Sequence, residues 1–448
     1  MKSRGLLIAA MVLAALTGTL YWSNHRKPPE PDTKASADAP PKILTLNQAD
    51  ISKIEIKKQG GEEVALAKND AGKWQITSPK QFGADQGAVS GMLSTLSALN
   101  SDRLIDEKAS KLEPYGLTQP AIEVDVTEKN NKTQKLLIGD ETPTGNAVYA
   151  ALAGDPRVFT LASYTKNGVD KSLKDLRDKR LLTFESDKLS RVELVAKKQD
   201  IEFGRSKDQW QIVKPKPLRA DDFRVQELIR KLADAKMDLS GSDEDAKKAT
   251  KAFAAATAVA IAKVTDAAGT QELQVRKSKD DYYAKSSAVE GVFKVSSDLG
   301  QSLDKSVDDF RTKKLFDFGF ADPEKIEIHD GANAYFLTKG GEDWWTNGKK
   351  MDASTVQPVV EKVRDLSASK FVDSGFTASA IDITVTSNGG KRVEKMLISK
   401  EGEHFVAKRE NEPALYQLDA SAVTDLQKAA ADVKPAPEPK PAAPSKKK

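Results

Sequence analysis

The side chains that most often carry chemistry are scarce in this chain. It has three histidines, His25, His329 and His404, and no cysteine. Without cysteine there can be no disulfide, iron–sulfur cluster, thiolate zinc site, cysteine nucleophile or N-terminal lipoprotein anchor. His329 ends the run IEIHDG and His404 opens EHFVAK, and neither has a histidine two or four residues away. A metal site gathers several such ligands, so both read as surface residues, and no metal or cofactor is expected. The nearest approach to a P-loop runs from Gly341 to Lys350. It has six residues where the motif has four and ends in lysine, so it reads as a hairpin turn after an aromatic strand. No G-x-S-x-G elbow occurs. Glu123 and Asp125 alternate along a strand and share a face. Among 66 acidic residues such pairs arise by chance, and a solvated sheet face is the simpler reading. No catalytic residue is expected.

The tryptophans are the better functional candidates. Trp74, Trp210 and the pair Trp344-Trp345 recur at similar places along the chain. They could form a platform for a sugar or peptide, but recurrence in every copy favours a core role. Adjacent strand residues point to opposite faces, so Trp344 and Trp345 cannot share one core. One of them should be exposed, and Trp345 is the candidate partner contact. Its replacement by alanine should leave the fold intact and weaken a partner contact.

The elements around these residues come as a repeat. ILTLNQADISKIEI begins at Ile43, LLTFESDKLSRVEL at Leu181 and LFDFGFADPEKIEI at Leu315. Ile54, Val192 and Ile326 correspond, at spacings of 138 and 134 residues. A helix follows in each copy, with stripes at Val89, Met92, Leu93, Leu96 and Leu99, then Val225, Leu228, Ile229 and Leu232, then Val356, Val359, Val360, Val363 and Leu366. The i, i+3, i+4, i+7 spacing buries one helical face. Asp85, Asp221 and Asp352 stand four residues before each stripe and read as helix caps rather than catalytic acids. Alternating apolar runs then predict four strands, closing at Leu161, Val295 and Leu418. The decapeptides DLRDKRLLTF (175–184) and DFRTKKLFDF (309–318) agree at five of ten positions and mark the junctions. Each copy therefore reads β-β-β-α-β-β-β-β-α. The fold class is α+β: three tandem repeats of a mostly antiparallel sheet with packed helices, at 43–180, 181–314 and 315–431.

Outside the repeats the composition changes. Residues 5–22 carry no charge and as a helix would span roughly 27 Å, near the thickness of a bilayer core. Tyr21 and Trp22 close the run, which favours a retained signal-anchor at 1–27 over a cleaved signal peptide. Residues 28–42 form a Pro-rich linker, and 432–448 read as a disordered Pro/Ala/Lys tail. Across all 448 residues, 70 basic side chains nearly balance the acidic ones, for a net charge of +4. That balance argues against a nucleic-acid binder.

The run K-I-E-I, the strand end G-K-W-Q-I, Pro79 and Pro215, Ala84-Asp85 and Ala220-Asp221, and the V-x-x-L-L-x-x-L helix together resemble the bacterial domain of unknown function 4340. The resemblance spans most of 43–430. The third copy departs furthest, with no proline after its tryptophans and Met351-Asp352 in place of Ala-Asp. Members of that family are similar in carrying an N-terminal membrane segment, and some are encoded beside gliding-motility-type ABC transporter components. The resemblance implies a role beside a membrane transport or cell-surface system and carries over no catalytic residue.

The reading is a non-enzymatic, single-pass protein of the bacterial inner membrane, with its bulk in the periplasm, acting as a scaffold or accessory subunit. Its partners would be the membrane and another protein, with ABC-type transporter components as candidates; no nucleic acid or small-molecule substrate is expected. A cell-wall or polysaccharide-binding protein is the alternative, and would expose aromatics at matching places in each copy. A hydrolase at a junction, using Arg177, Asp178 or Arg311, ranks last, because those residues more simply pair with one another and cap helices.

Overall fold

The computed structural model describes residues 42–206 and 209–437. The expected anchor at 1–27, nearly all of the linker and the end of the tail lie outside the described residues. Among the described residues no helix is long and apolar enough to cross a membrane. The chain divides into two compact units, one ending at Asp178 and the other starting at Lys179.

The first unit is built on strands β1 (Ile51–Lys58), β2 (Glu63–Lys68), β3 (Trp74–Ser78) and β4 (Phe82–Gly83), helix α1 (Gln86–Ser97), and strands β5 (Arg103–Asp106), β6 (Ile122–Glu128), β7 (Thr133–Glu141), β8 (Ala147–Leu152) and β9 (Val158–Ala162). Helices α2 (Ser163–Val169) and α3 (Leu173–Leu176) close it. The sheet runs β4-β3-β2-β1-β6-β7-β8-β9-β5. Ile54 faces Val126 and Ile56 faces Val124 across the β1–β6 ladder, so period-two alternation places all four in the core. Val89, Met92, Leu93 and Leu96 of α1 pack onto them. Each such side chain removed from water stabilises the unit by about 1.5–3 kcal/mol.

The second unit holds two more sheets. One comprises β10 (Arg191–Ala196), β11 (Gln199–Ser206), β12 (Gln209–Lys214), β13 (Leu218–Arg219), helices α4 (Asp222–Ala233) and α5 (Asp243–Ala255), β14 (Thr257–Asp266), β15 (Gly269–Ser278), β16 (Asp281–Ser286), β17 (Val292–Val295) and α6 (Ser297–Leu303). The other comprises β18 (Lys325–Asp330), β19 (Asn333–Gly340), β20 (Asp343–Thr346), β21 (Lys349–Lys350), α7 (Ala353–Asp365), β22 (Lys370–Val372), β23 (Ile381–Ser387), β24 (Arg392–Glu401), β25 (His404–Arg409), β26 (Leu415–Leu418) and α8 (Ala420–Ala431). Their orders are β13-β12-β11-β10-β14-β15-β16-β17 and β21-β20-β19-β18-β23-β24-β25-β26-β22. The protein is α+β with three antiparallel sheets.

Two features depart from the sequence reading. Short strands β4, β13 and β21 end one side of each sheet, too brief to offer an open ladder. On the opposite side, β5 and β22 pair with β9 and β26, but among the described residues the second sheet has no ninth strand. Its place after α4 is taken by α5, whose Phe253 is buried. Arg276 of β15 lies 4.6 Å over the Phe253 ring and donates to its carbonyl at 3.3 Å. A helix beside an edge strand protects that edge as a ninth strand would.

The core of the second unit is continuous from Leu181 to Ala430, across both sheets. The decapeptide 309–318 stitches them together. Phe310 packs edge-on against Phe203 at 5.0 Å, and Leu315 N–H donates to Leu366 O at 3.1 Å. Ala368 N–H donates to Lys313 O at 2.8 Å.

One backbone seat recurs three times. In the first unit Ala84 bridges Arg177, flanked by Asp85 N–H to Leu176 O (2.8 Å) and Asp178 N–H to Gly83 O (2.9 Å). In the second sheet Ala220 bridges Arg311, flanked by Asp221 N–H to Phe310 O and Thr312 N–H to Arg219 O. In the third sheet Met351 bridges Pro435, flanked by Asp352 N–H to Lys434 O and Ala436 N–H to Lys350 O, both 2.9 Å. Residues 434–436, placed by the sequence reading in the Pro/Ala/Lys tail, are the ones that fill this third seat. The seat recognises backbone N–H and C=O groups, so Lys434, Pro435 and Ala436 fill it without resembling the decapeptides.

Candidate functional site: a cleft in the second unit

A cleft of about 1540 Å3 opens between the second and third sheets. Its floor is a charged network. Arg219 of β13 pairs with Asp317, donates to Lys314 O at 2.9 Å and lies 4.0 Å from Glu412. Arg409, at the end of β25, binds Glu412 at 2.7 Å and Glu394 of β24 at 3.1 Å, and donates to Leu315 O. Asp317 N–H donates to Glu394 at 3.0 Å, and Tyr416 O–H to Glu412 at 3.3 Å. The Glu394 side chain is 4% exposed. A carboxylate that deep is stable only when its lone pairs are taken, and here an arginine and a backbone amide take them. Burial lowers the proton affinity of Arg219, but Asp317, Tyr416 and Glu412 outweigh it and hold the guanidinium above its ordinary pKa. Burial, and then Glu412, push the Tyr416 hydroxyl up. The network couples Arg219 from one sheet to groups of the other copy.

The rim is different in kind. Phe223, in the first turn of α4, is 71% exposed, and Phe320 is 92% exposed. Phe320 sits on a held loop. Arg364 of α7 donates to Gly319 O at 2.9 Å and Phe320 O at 3.1 Å, and pairs with Asp322 at 3.2 Å. Lys339 binds the other Asp322 oxygen at 2.8 Å. Both cations hold the Asp322 carboxyl below its ordinary value, the Lys339 hydrogen bond contributing most.

The residues singled out in the sequence fall elsewhere or serve the fold. Trp74, Trp210 and Trp344 are buried. Trp74 N–H donates to Gln86 and Trp210 N–H to Asp222, both at 2.9 Å, so each tryptophan strand is tied to the helix that covers it. Trp345 is 38% exposed, stands opposite Thr338 and Lys350, and does not line the cleft. Asp85, Asp221 and Asp352 accept first-turn amide hydrogen bonds as caps. Lys135 bridges Glu123 at 3.1 Å and Asp125 at 3.4 Å. The run 341–350 turns through Asn347 and Gly348, both at positive φ, between β20 and β21. His329 meets Phe336 edge-on at 5.4 Å, and His404 is exposed on β25. Arg177 lies 4.1 Å over Phe82, where burial lowers its pKa. Arg311 lies 3.5 Å over Phe371 and pairs with Asp308. Among the described residues no three His, Asp or Glu side chains converge as metal ligands.

The floor network was not anticipated. The signal lay in the repeat itself. One repeat earlier, the positions of Arg219, Asp317, Glu394 and Arg409 hold Gly83, Thr183, Gln271 and Ser286. The bonds are kept while the charges are new. Thr183 N–H donates to Gln271 as Asp317 N–H does to Glu394, and Ser286 donates to Leu181 O as Arg409 does to Leu315 O.

A family model described as a domain of unknown function (DUF4340) matches residues 74–211 and again residues 210–388. The matches open at Trp74 and at Trp210, each on a tryptophan strand, so the family segment starts inside a sheet. No curated protein matches. Among solved structures, the crystal structure of the DNA polymerase III subunit beta from Pseudomonas aeruginosa aligns over 84% of this chain and 94% of its own at 6% identity. Its TM-score is 0.15, too low to relate the two folds.

Proposed function

The chain belongs to the DUF4340 family, and on that footing we propose that it is a non-enzymatic scaffold or accessory subunit, tethered to the bacterial inner membrane with its bulk in the periplasm. The observation that carries this reading is repetition with internal use of charge. Three sheets share one strand order, the second with eight described strands where the others have nine, and the charged groups on the floor of the cleft are bonded to one another and to backbone carbonyls. Copies of one module multiply surface, which suits a protein that contacts other proteins. The uncharged run at 5–22 and the Pro-rich linker after it support a tether that holds the folded units away from the headgroups. A membrane transport system, with ABC-type transporter components among its parts, is the setting proposed.

In-cell crosslinking of the full-length protein, followed by mass spectrometry, tests this. Permease or ATP-linked membrane subunits should be recovered above a control carrying the anchor alone. Recovery of wall polymer alone, or of nothing above that control, would overturn the reading.

A further inference from the structure

We infer that the cleft of the second unit is a docking groove for an acidic segment of another protein that carries large apolar side chains, with Phe223 and Phe320 as its anchors. This rests on the scaffold reading and names the surface it would use.

Three observations converge on it. The first is exposure without looseness. Phe320 keeps almost all of its surface in water, yet the loop beneath it is fixed by Arg364 and Asp322. A held, exposed aromatic meets a partner at low entropic cost, as binding anchors do. Phe223 faces the same cleft from a helix.

The second is the sign of the charge left over. Most carboxylates of the cleft are already engaged: Glu227 by Arg224, Asp298 by Lys231, Asp308 by Arg311, and Asp317 and Glu412 by the floor arginines. Asp221, Asp222 and Asp309 accept backbone amide hydrogen bonds. The exposed cations Lys313, Lys314, Lys370 and Arg392 also line it. Among the described residues none of the four has a carboxylate partner, and Lys313 and Arg392 donate to the carbonyls of Ser369 and Asp317. Asp365 is the exposed acid set against them. A partner of complementary charge is acidic.

The third is shape. The site is concave, so an inserted peptide segment can reach Phe223, Phe320 and the lysines together, whereas a flat bilayer meets only the rim. The chain's own C-terminal residues 438–448 carry four lysines and one glutamate, the wrong sign for this groove.

The test uses the whole extramembrane chain and a fluorescent synthetic peptide alternating glutamate with leucine and phenylalanine. A lysine-for-glutamate version serves as control, with phosphatidylglycerol vesicles alongside. The acidic peptide should bind, the basic one should not, and binding should weaken as ionic strength rises. The double variant Phe223→Ala, Phe320→Ala should lose about tenfold in affinity or more, as truncated anchors do. Charge reversal by Lys313→Glu with Lys370→Glu should lose a comparable factor without touching either phenylalanine. Both changes are on exposed side chains, and unaltered circular dichroism confirms folding. Absence of acidic-peptide binding, or equal binding by the variants, overturns the groove. Vesicle binding abolished by these variants, with no peptide binding, gives the surface to the membrane instead. In-cell crosslinking with the phenylalanine double variant separates the two proposals: a partner still recovered sinks the groove and leaves the scaffold standing.

Discussion

Trp344 and Trp345 are neighbours on one strand, 3% and 38% exposed. Truncating Trp344 to alanine should cost about 3–5 kcal/mol in chemical denaturation, the range for a large core aromatic. Truncating Trp345 should cost about 1 kcal/mol or less; a clearly lower melting temperature for Trp345→Ala would contradict its placement. Alternation alone made this division legible, because two adjacent strand residues must part. The charged floor was missed, since Arg219, Asp317, Glu394 and Arg409 are far apart in sequence and ordinary in type, and only a position-by-position comparison of the copies sets them apart. Asp322 supplies a pH prediction. Its folded carboxyl sits below its ordinary value of 3.8, so its contribution is full above that value and is lost as pH falls through the folded one. Asp322→Asn should therefore be less stable near neutrality and lose less between mildly and strongly acidic pH, read by urea denaturation. Parallel curves for the two proteins would refute the assignment.

At the scale of elements, the long stripes were readable because their period is unambiguous. Val89 to Leu96, Val225 to Leu232 and Val356 to Val363 form α1, α4 and α7 as their spacing requires. Helix α5 was missed although Ser242 and Asp245 form a capping box ahead of an alanine-rich run. Its apolar content is low, and it lies against the β17 edge of the second sheet, where a short strand stands in the other two sheets. The two-residue strands β4, β13 and β21 are too short for any pattern to register. The seat at Met351 was equally invisible, because it binds backbone. Truncation after Val433 removes the bonds from Asp352 N–H and to Lys350 O and should lower the melting temperature of the second unit by several degrees. Truncation after Pro437 should leave it unchanged. Equal melting of the two forms in a thermal scan would show that the seat contributes nothing.

For the whole molecule, the two compact units make a different prediction from the three repeats. Residues 42–178 and 179–437 each enclose a core and should fold when expressed separately, with cooperative unfolding in each. Residues 179–314 alone should not, because Phe310, Leu315 and Phe316 share a continuous core with the third sheet. Native-like hydrogen-exchange protection in that short fragment would overturn this. The boundaries of the family matches coincide with neither division, since both begin on a tryptophan strand inside a sheet. The sequence period and the spatial closure are thus offset by part of a module.

The seat filled by Lys434, Pro435 and Ala436 has a consequence for which segments can be exchanged. The segment leaving each copy docks through the same backbone bonds in all three. Replacing residues 434–436 with a segment like 310–312 should keep those bonds. The seat is therefore indifferent to the side chains that fill it, and evolution or an engineer could exchange the docking segment without redesigning any sheet.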